Sequence, residues 1–331
     1  MNMSSQTISL VIAGGEIARP LQNVPGNAGG DANVETIRSW IPEETADLVN
    51  VIDWSHQPGS HYSLNMTGDL MSLLAQQVTA GAHAVVAFCG SDAVEEMAYF
   101  ADLMWIYPQP LVFAVVRSAP GEAGSDALLV LREALTVAGA REAWGRGVLL
   151  CAHGRSYSAS DLVEISNYGR SVYRGNFSEA AGCVSNGTVS FWQMPRRSKI
   201  FDRIFVPARN VELLEASLGA GERFLQALTD EESSAPDGLV IAGFGGGNVY
   251  PAWVPHLKTL VRNGVPVVAA SRCQQGGITE DEDFEGSFSK LKEFGVMSAG
   301  FLTPLQARIK LAVGLGAGLK DQELQKYLLD R

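Results

Sequence analysis

The chain runs, again and again, from a short apolar stretch into glycine and a polar loop, and then into a helix-forming stretch. That alternation constrains its fold more than any other feature. The clearest instance begins with Ala84, Val85, Val86, Ala87 and Phe88, breaks at Cys89-Gly90, opens into Ser91-Asp92 and enters a helical segment near Val94-Glu95-Glu96. Apolar runs of this length, bounded by turn signals, read as buried strands. Others fall at residues 8–13, 48–53, 111–116, 147–151, 238–243 and 265–270. Helical patterns fall at 34–40, 70–78, 126–138 and 253–262, and from Pro304 onward. This order predicts a layered α/β fold with a largely parallel sheet. Asn186-Gly187, between two alternating runs, predicts a β-hairpin.

In such a sheet, ligand sites form in the loops beyond the carboxyl ends of the strands. Gly90, Ser91 and Asp92 occupy one of these loops. Gly90 lets the backbone pass close to a ligand. Ser91 and Asp92 have two readings. They cap the helix that follows, whose N-terminus favours an anion, or they line a site. The run at 8–13 ends at Gly14-Gly15 and delivers Glu16 to a comparable loop. Residues 21–31, rich in Gly, Asn and Pro, read as a surface loop suited to act as a lid.

The charge is −11, with no basic face evident, which argues against a nucleic-acid partner. Cys89, Cys151, Cys183 and Cys273 form no CxxC or Cys/His cluster, so neither a zinc site nor a disulfide framework is expected. Cys151 and Cys183 read as buried thiols. His56 and His61 sit on a loop at a spacing that is weak for metal binding, and His83 and His256 read as structural. The turn Gly245-Gly246-Gly247 lacks the spacing and the acidic partner of a dinucleotide fingerprint, and no cofactor is expected. No apolar window reaches the length of a membrane span, and the N-terminus lacks a basic n-region, so a cytoplasmic protein is expected. With 331 residues, 46% hydrophobic and 18% charged, two domains with substantial cores are feasible. The charged, proline-bearing stretch at 195–207 is the best candidate linker. The expected division is 1–195, a linker at 196–212, and 213–331.

Four strand-end motifs, in order, resemble the bacterial-type L-asparaginase/glutaminase family. Ala13-Gly14-Gly15-Glu16-Ile17-Ala18 resembles its threonine-glycine-glycine-threonine-isoleucine-alanine signature. Ser63-Leu64-Asn65-Met66 resembles its serine-x-aspartate-methionine loop. Cys89-Gly90-Ser91-Asp92 with Glu95-Glu96 resembles its histidine-glycine-threonine-aspartate-threonine signature and the paired glutamates beyond it. The stretch Ile241 to Asn248, Ser271-Arg272-Cys273 and the stretch Leu302 to Arg308 resemble its C-terminal domain. The resemblance covers nearly the whole chain. It implies a larger N-terminal mixed-sheet α/β domain holding the catalytic site and a smaller C-terminal parallel-sheet domain. It also implies a small-molecule substrate and assembly as a homodimer or homotetramer.

The chemistry implied by the resemblance departs at the reacting positions. The family hydrolyses amides with a nucleophilic threonine, assisted by a second threonine, an aspartate and a lysine. Here those positions carry Glu16, Ser91, Asp92 and, in an ungapped alignment, Glu164. The signature histidine is Cys89, and the loop at 21–31 offers no tyrosine. A hydroxyl and a cation have become carboxylates, and two carboxylates sharing a site raise at least one pKa. Glu16 then suits general acid or base work near neutral pH. The bland alternative pairs Glu16 with Arg19 or Arg117. By the same resemblance Ser63, Asn65, Gly90, Cys89 and Asn248 bind substrate, Glu285 stands near another family position, and Arg272 and Arg308 are structural. Loop hydrogen bonding is the plain reading of Ser63 and Asn65. The function expected is an amidohydrolase cleaving a C–N bond in a small amide or lactam other than asparagine. Two alternatives stand beside it: a lyase or isomerase using Glu16 and Glu164 as base and acid, and a non-catalytic small-ligand binding protein.

Overall fold

The computed structural model describes residues 7–18, 31–120, 122, 124–169, 172–176, 179–201, 205–230 and 235–330. The loop expected at 21–31 lies outside them up to Asp31, which opens the first helix. The chain divides into two compact units, Met1–Asp202 and Arg203–Arg331.

The first unit contains strands β1 (Ile8–Ala13), β2 (Val49–Ser55), β3 (Ala84–Gly90), β4 (Leu111–Val116), β5 (Val148–Ala152), β6 (Arg155–Ser158), β7 (Leu162–Glu164), β8 (Tyr173–Gly175), β9 (Gly182–Ser185) and β10 (Thr188–Phe191). Its helices are α1 (Asp31–Trp40), α2 (Leu64–Thr79), α3 (Val94–Met104) and α4 (Ala127–Gly139). Eight strands form one sheet in the order β10-β9-β6-β5-β4-β3-β1-β2, and β7 and β8 pair separately. The strands from β2 through β5 are parallel, and β6, β9 and β10 join antiparallel. Every residue of β1, β3 and β4 is buried, which is why these strands read as near-continuous apolar runs, with Ser9 of β1 the one polar exception. The antiparallel edge is built from two-residue hairpins. Asn186-Gly187 turns β9 into β10 with φ of 49° and 72°, and His153-Gly154 turns β5 into β6 with 49° and 76°. Both fit the left-handed pair that a tight hairpin needs.

The second strand runs two residues beyond the expected end at Asp53. Ile12 pairs with Asp53 but Ala13 with Ser55, so Trp54 is an extra residue that bends the strand end. The short strands β7 and β8, three residues each, carry too little pattern to be read from sequence.

The second unit has β11 (Val211–Glu215), β12 (Gly238–Gly243), β13 (Val267–Ser271) and β14 (Met297–Ser298), all parallel and in that order across the sheet. Its helices are α5 (Glu222–Thr229), α6 (Val254–Arg262), α7 (Phe288–Glu293), α8 (Pro304–Gly316) and α9 (Asp321–Leu329). β11 opens within the stretch expected as linker. α8 begins with a reciprocal cap, in which the Thr303 hydroxyl accepts from the Gln306 amide and the Gln306 side chain accepts from the Thr303 amide. Among the described residues no helix is long and apolar enough to cross a membrane.

Candidate active site

The candidate site grows from two adjacent parallel strands, β1 and β3. After Ala13 the chain turns through Gly14 and Gly15, with φ of 77° and 78°, conformations that only glycine adopts without strain. There is also no room for a side chain. A Cβ on Gly14 would lie 2.4 Å from the Gln57 carbonyl oxygen, and one on Gly15 would lie 2.4 Å from the Gly90 nitrogen. The Gly90 amide donates to the Gly14 carbonyl at 3.1 Å, so the two strand ends are laced together. The following 3-10 turn, Gly15–Ala18, sinks Ile17 completely and turns Glu16 inward, where it is 8% exposed. Its Oε2 accepts a hydrogen bond from the Ser91 amide at 3.2 Å.

Helix capping is not what Ser91 and Asp92 do. The residue preceding α3 is Ala93, and no side chain caps the helix. The Ser91 carbonyl accepts from the Val94 amide, and Asp92 stands exposed against Gly59 in the loop after β2. The capping reading is thereby corrected: neither side chain bonds to the free amides of the helix end.

Glu164 ends β7. Its amide donates to Glu95 Oε2 at 2.9 Å, tying the ribbon to the first turn of α3. Burial, and then the charges of Asp92 and Glu16, push Glu164 above the usual carboxylate range, while Arg117 pulls it down. Burial also lifts Glu95 to about 7. Glu164 and Glu96 add repulsion, and the hydrogen bond from the Glu164 amide opposes the rise. Arg117, at the end of β4, donates to the carbonyls of Asn167 and Gly169. Its hydrogen bonds therefore go to the loop beyond β7 rather than to Glu16. Arg19 lies outside the described residues.

Two strongly buried groups border the cluster. The Cys89 thiol is pushed well up by burial and by the Glu16 charge, so it is held as a neutral thiol. Tyr62 donates to the Ala13 carbonyl, and burial raises its phenol. The structure brings Glu16, Gly90, Ser91, Asp92, Cys89 and Glu164 into one neighbourhood and adds Glu95, Arg117 and Tyr173. Glu95 carried a sequence signal, since it belongs to the paired glutamates after the second signature. Tyr173 carried none.

Ser63 and Asn65 are exposed, and Ser63 Oγ caps α2 by accepting from the Met66 amide at 3.2 Å. In the second unit, Asn248 donates to Glu282, accepts from the Phe288 amide at 3.1 Å, and closes the β12 turn on Phe244. Glu285 is exposed. Arg272 lies over the Phe244 ring and donates to the Ala216 carbonyl, and Arg308 donates to that of Val211. His56 and His61 bond to Asp53 and Gln57, His83 to Trp144, and His256 to Thr229. Among the described residues no group of three or more His, Cys, Asp or Glu is placed to hold a metal ion. A cavity of about 600 Å³ in the second unit opens at the amino ends of its strands, beside Asp237, Pro266 and Met297, and includes none of the candidate residues.

Paired glycines at the end of the first strand present a buried side chain beside the Gly90 turn of the neighbouring strand. The asparaginase N-terminal family model matches residues 7–197, and the glutaminase/asparaginase C-terminal domain model matches residues 210–328. The chain belongs to the asparaginase/glutaminase family, a family of hydrolases. It is 26% identical to a probable periplasmic L-asparaginase of Haemophilus influenzae, over 98% of this chain and 92% of that one. It is 28% identical to a probable L-asparaginase of Deinococcus radiodurans, over 98% of each chain. The crystal structure of a probable cytoplasmic L-asparaginase from Campylobacter jejuni has the same fold, with a TM-score of 0.82 at 23% identity over 99% of this chain and all of that one.

Proposed function

We propose that this protein is an amidohydrolase that cleaves a C–N bond in a small amide or lactam, and that asparagine is not its substrate. One observation carries the reading. Glu16, where the family resemblance implies a hydroxyl, stands at the end of β1, buried and hydrogen-bonded to the Ser91 amide, within electrostatic reach of Glu164. A carboxylate there suits taking a proton from water. In the proposed reaction Glu16 accepts a water proton as the oxygen bonds to the substrate carbonyl carbon. The C–N bond then breaks, and the leaving nitrogen takes a proton from Glu164, whose pKa is raised by burial. Asp92 and Ser91 orient the substrate, with Gly90 and Cys89 forming the floor beside them. Ser63 and Asn65 complete substrate binding on family resemblance, which also supports a homodimer or homotetramer. Light scattering tests that assembly. The names of the relatives divide between periplasm and cytoplasm; the cytoplasmic reading is tested by fractionation.

The experiment is a turnover panel of small amides and lactams with purified protein, following ammonia, amine or ring-opened acid. Turnover of one of them, with Glu16→Gln lowering kcat at least about a hundredfold, supports the reading. Ready turnover of asparagine, or an unaffected Glu16→Gln variant, overturns it.

A further inference from the structure

The first unit gathers more negative charge at these strand ends than hydrolysis of an amide uses. Glu16, Asp92, Glu95 and Glu164 act on one another through Glu164, with Arg117 as the opposing cation. That guanidinium is already engaged by the carbonyls of Asn167 and Gly169. A ligand carboxylate would meet like charge there.

A second observation marks the cluster as built for a ligand. Tyr173 pairs directly with Glu164 in the antiparallel β7–β8 ribbon, so the two side chains stand on the same face with Cβ atoms roughly 5 Å apart. Its ring packs edge-on to Tyr157 at 6.1 Å, which fixes its direction. Tyr173 is 4% exposed, and its hydroxyl has no hydrogen-bond partner among the described residues. Arg117 Nε is in the same condition. Buried hydroxyls are seldom left unmatched, because an unmade hydrogen bond there costs the full desolvation of the group. A donor left over beside a group of carboxylates fits a molecule with an oxygen at one end and a positive charge at the other.

We propose that the site selects a small cationic amide, with an ammonium or guanidinium group held by Asp92 and Glu95 and the carbonyl oxygen accepting from the Tyr173 hydroxyl. The proposal deepens the amidohydrolase reading and rests on it for turnover, though not for binding. Glu95, lifted to about 7, ionises more fully as pH rises, and Glu164 beside it is also lifted, whereas Tyr173 and Cys89 stay neutral. Glu96 repels Glu95, and Glu16 and Asp92 repel Glu164. A cation therefore binds more tightly above neutrality than below it.

The test is calorimetric titration of the full chain with three matched probes: 4-aminobutanamide, butanamide and succinamate. The expected order places the cationic amide about tenfold or more ahead of the neutral one, with succinamate last, and the affinity for 4-aminobutanamide rises from pH 6 to pH 8. Tyr173→Phe weakens 4-aminobutanamide about five- to tenfold, the loss of one hydrogen bond. The same variant leaves butylamine, which has the charge but no carbonyl, unchanged, and a purely structural role for the hydroxyl does not predict that difference. Succinamate or asparagine binding as tightly as 4-aminobutanamide, no binding of the cationic probe, or an unaffected Tyr173→Phe variant overturns the proposal. Binding of 4-aminobutanamide without ammonia release overturns the hydrolase reading alone. Turnover of succinamate overturns the selectivity alone.

Discussion

Replacing Gly90 by alanine tests whether the approach of β1 to β3 is what seats Glu16. A Cβ at position 90 would lie 1.9 Å from Glu16 Oε2, 2.8 Å from the Gly15 Cα and 2.9 Å from the Glu16 nitrogen. The φ of Gly90 is not among the positive values, so alanine strains no torsion there and the cost is crowding alone. The carboxylate can swing aside, but the Gly15 backbone must retreat by roughly 0.7 Å to reach ordinary carbon–carbon contact. Two hydrogen bonds resist that retreat: the Gly15 amide to the Gln57 carbonyl at 2.8 Å and the Gly90 amide to the Gly14 carbonyl at 3.1 Å. Overpacking of this kind costs about 1–3 kcal/mol. For a unit of this size that lowers Tm by about 2–12 °C. Displacing a reacting carboxylate by an ångström costs on the order of a hundredfold in kcat. Scanning calorimetry reads the first effect, and turnover of whichever substrate the amide panel identifies reads the second. Ser91→Ala, which keeps the amide that bonds Glu16, serves as the control and shifts Tm far less. A Gly90→Ala protein with unchanged Tm and kcat would refute the claim that this contact positions Glu16.

Three further outcomes follow from the same coordinates. Glu95 is raised to about 7 in the folded chain from an ordinary value of 4.5, so the folded state binds the extra proton between those values. Its contribution is intact below about pH 4.5 and is lost as pH rises through 7, on the order of 2 kcal/mol after allowing for its partial exposure. Urea titrations from pH 4.5 to 8 should show that slope, with Glu95→Gln flattening it; an unchanged slope refutes the assignment. Asp102 is 2% exposed and is held by Arg197 Nε at 2.8 Å and the Val148 amide at 3.0 Å. Arg197→Ala strands that charge and should destabilise the protein by about 3–5 kcal/mol in chemical denaturation; a loss below 1 kcal/mol would show the carboxyl to be neutral in place. Finally, Glu16→Thr combined with Glu164→Lys restores the family's hydroxyl and cation and should gain measurable ammonia release from asparagine, absent in either single variant. No gain in the double variant would mean that the scaffold differs elsewhere.

The sequence alone determined the repeat of buried strand, glycine turn and helix, because a strand covered on both faces is apolar at nearly every position and a turn against a neighbouring backbone must be glycine. Hence β1, β3, β4 and β12, both strand ends at Gly14-Gly15 and Gly90, and the Asn186-Gly187 hairpin were legible. Only the tertiary structure decided what the polar side chains at those turns do. Asp92 looks locally like a helix cap, yet it stands against Gly59 because the packing of β1 on β3 sets the turn. Glu95 looks locally like a carboxylate answering the α3 dipole, yet it accepts from the Glu164 amide, 69 positions along the chain. Tyr173 and Glu164 sit on strands of three residues, too short to show a period, and meet only through their cross-strand register. A periodic pattern records which face of an element is buried. Which charges share a site depends on strand order and register, and no single stretch of chain carries that information.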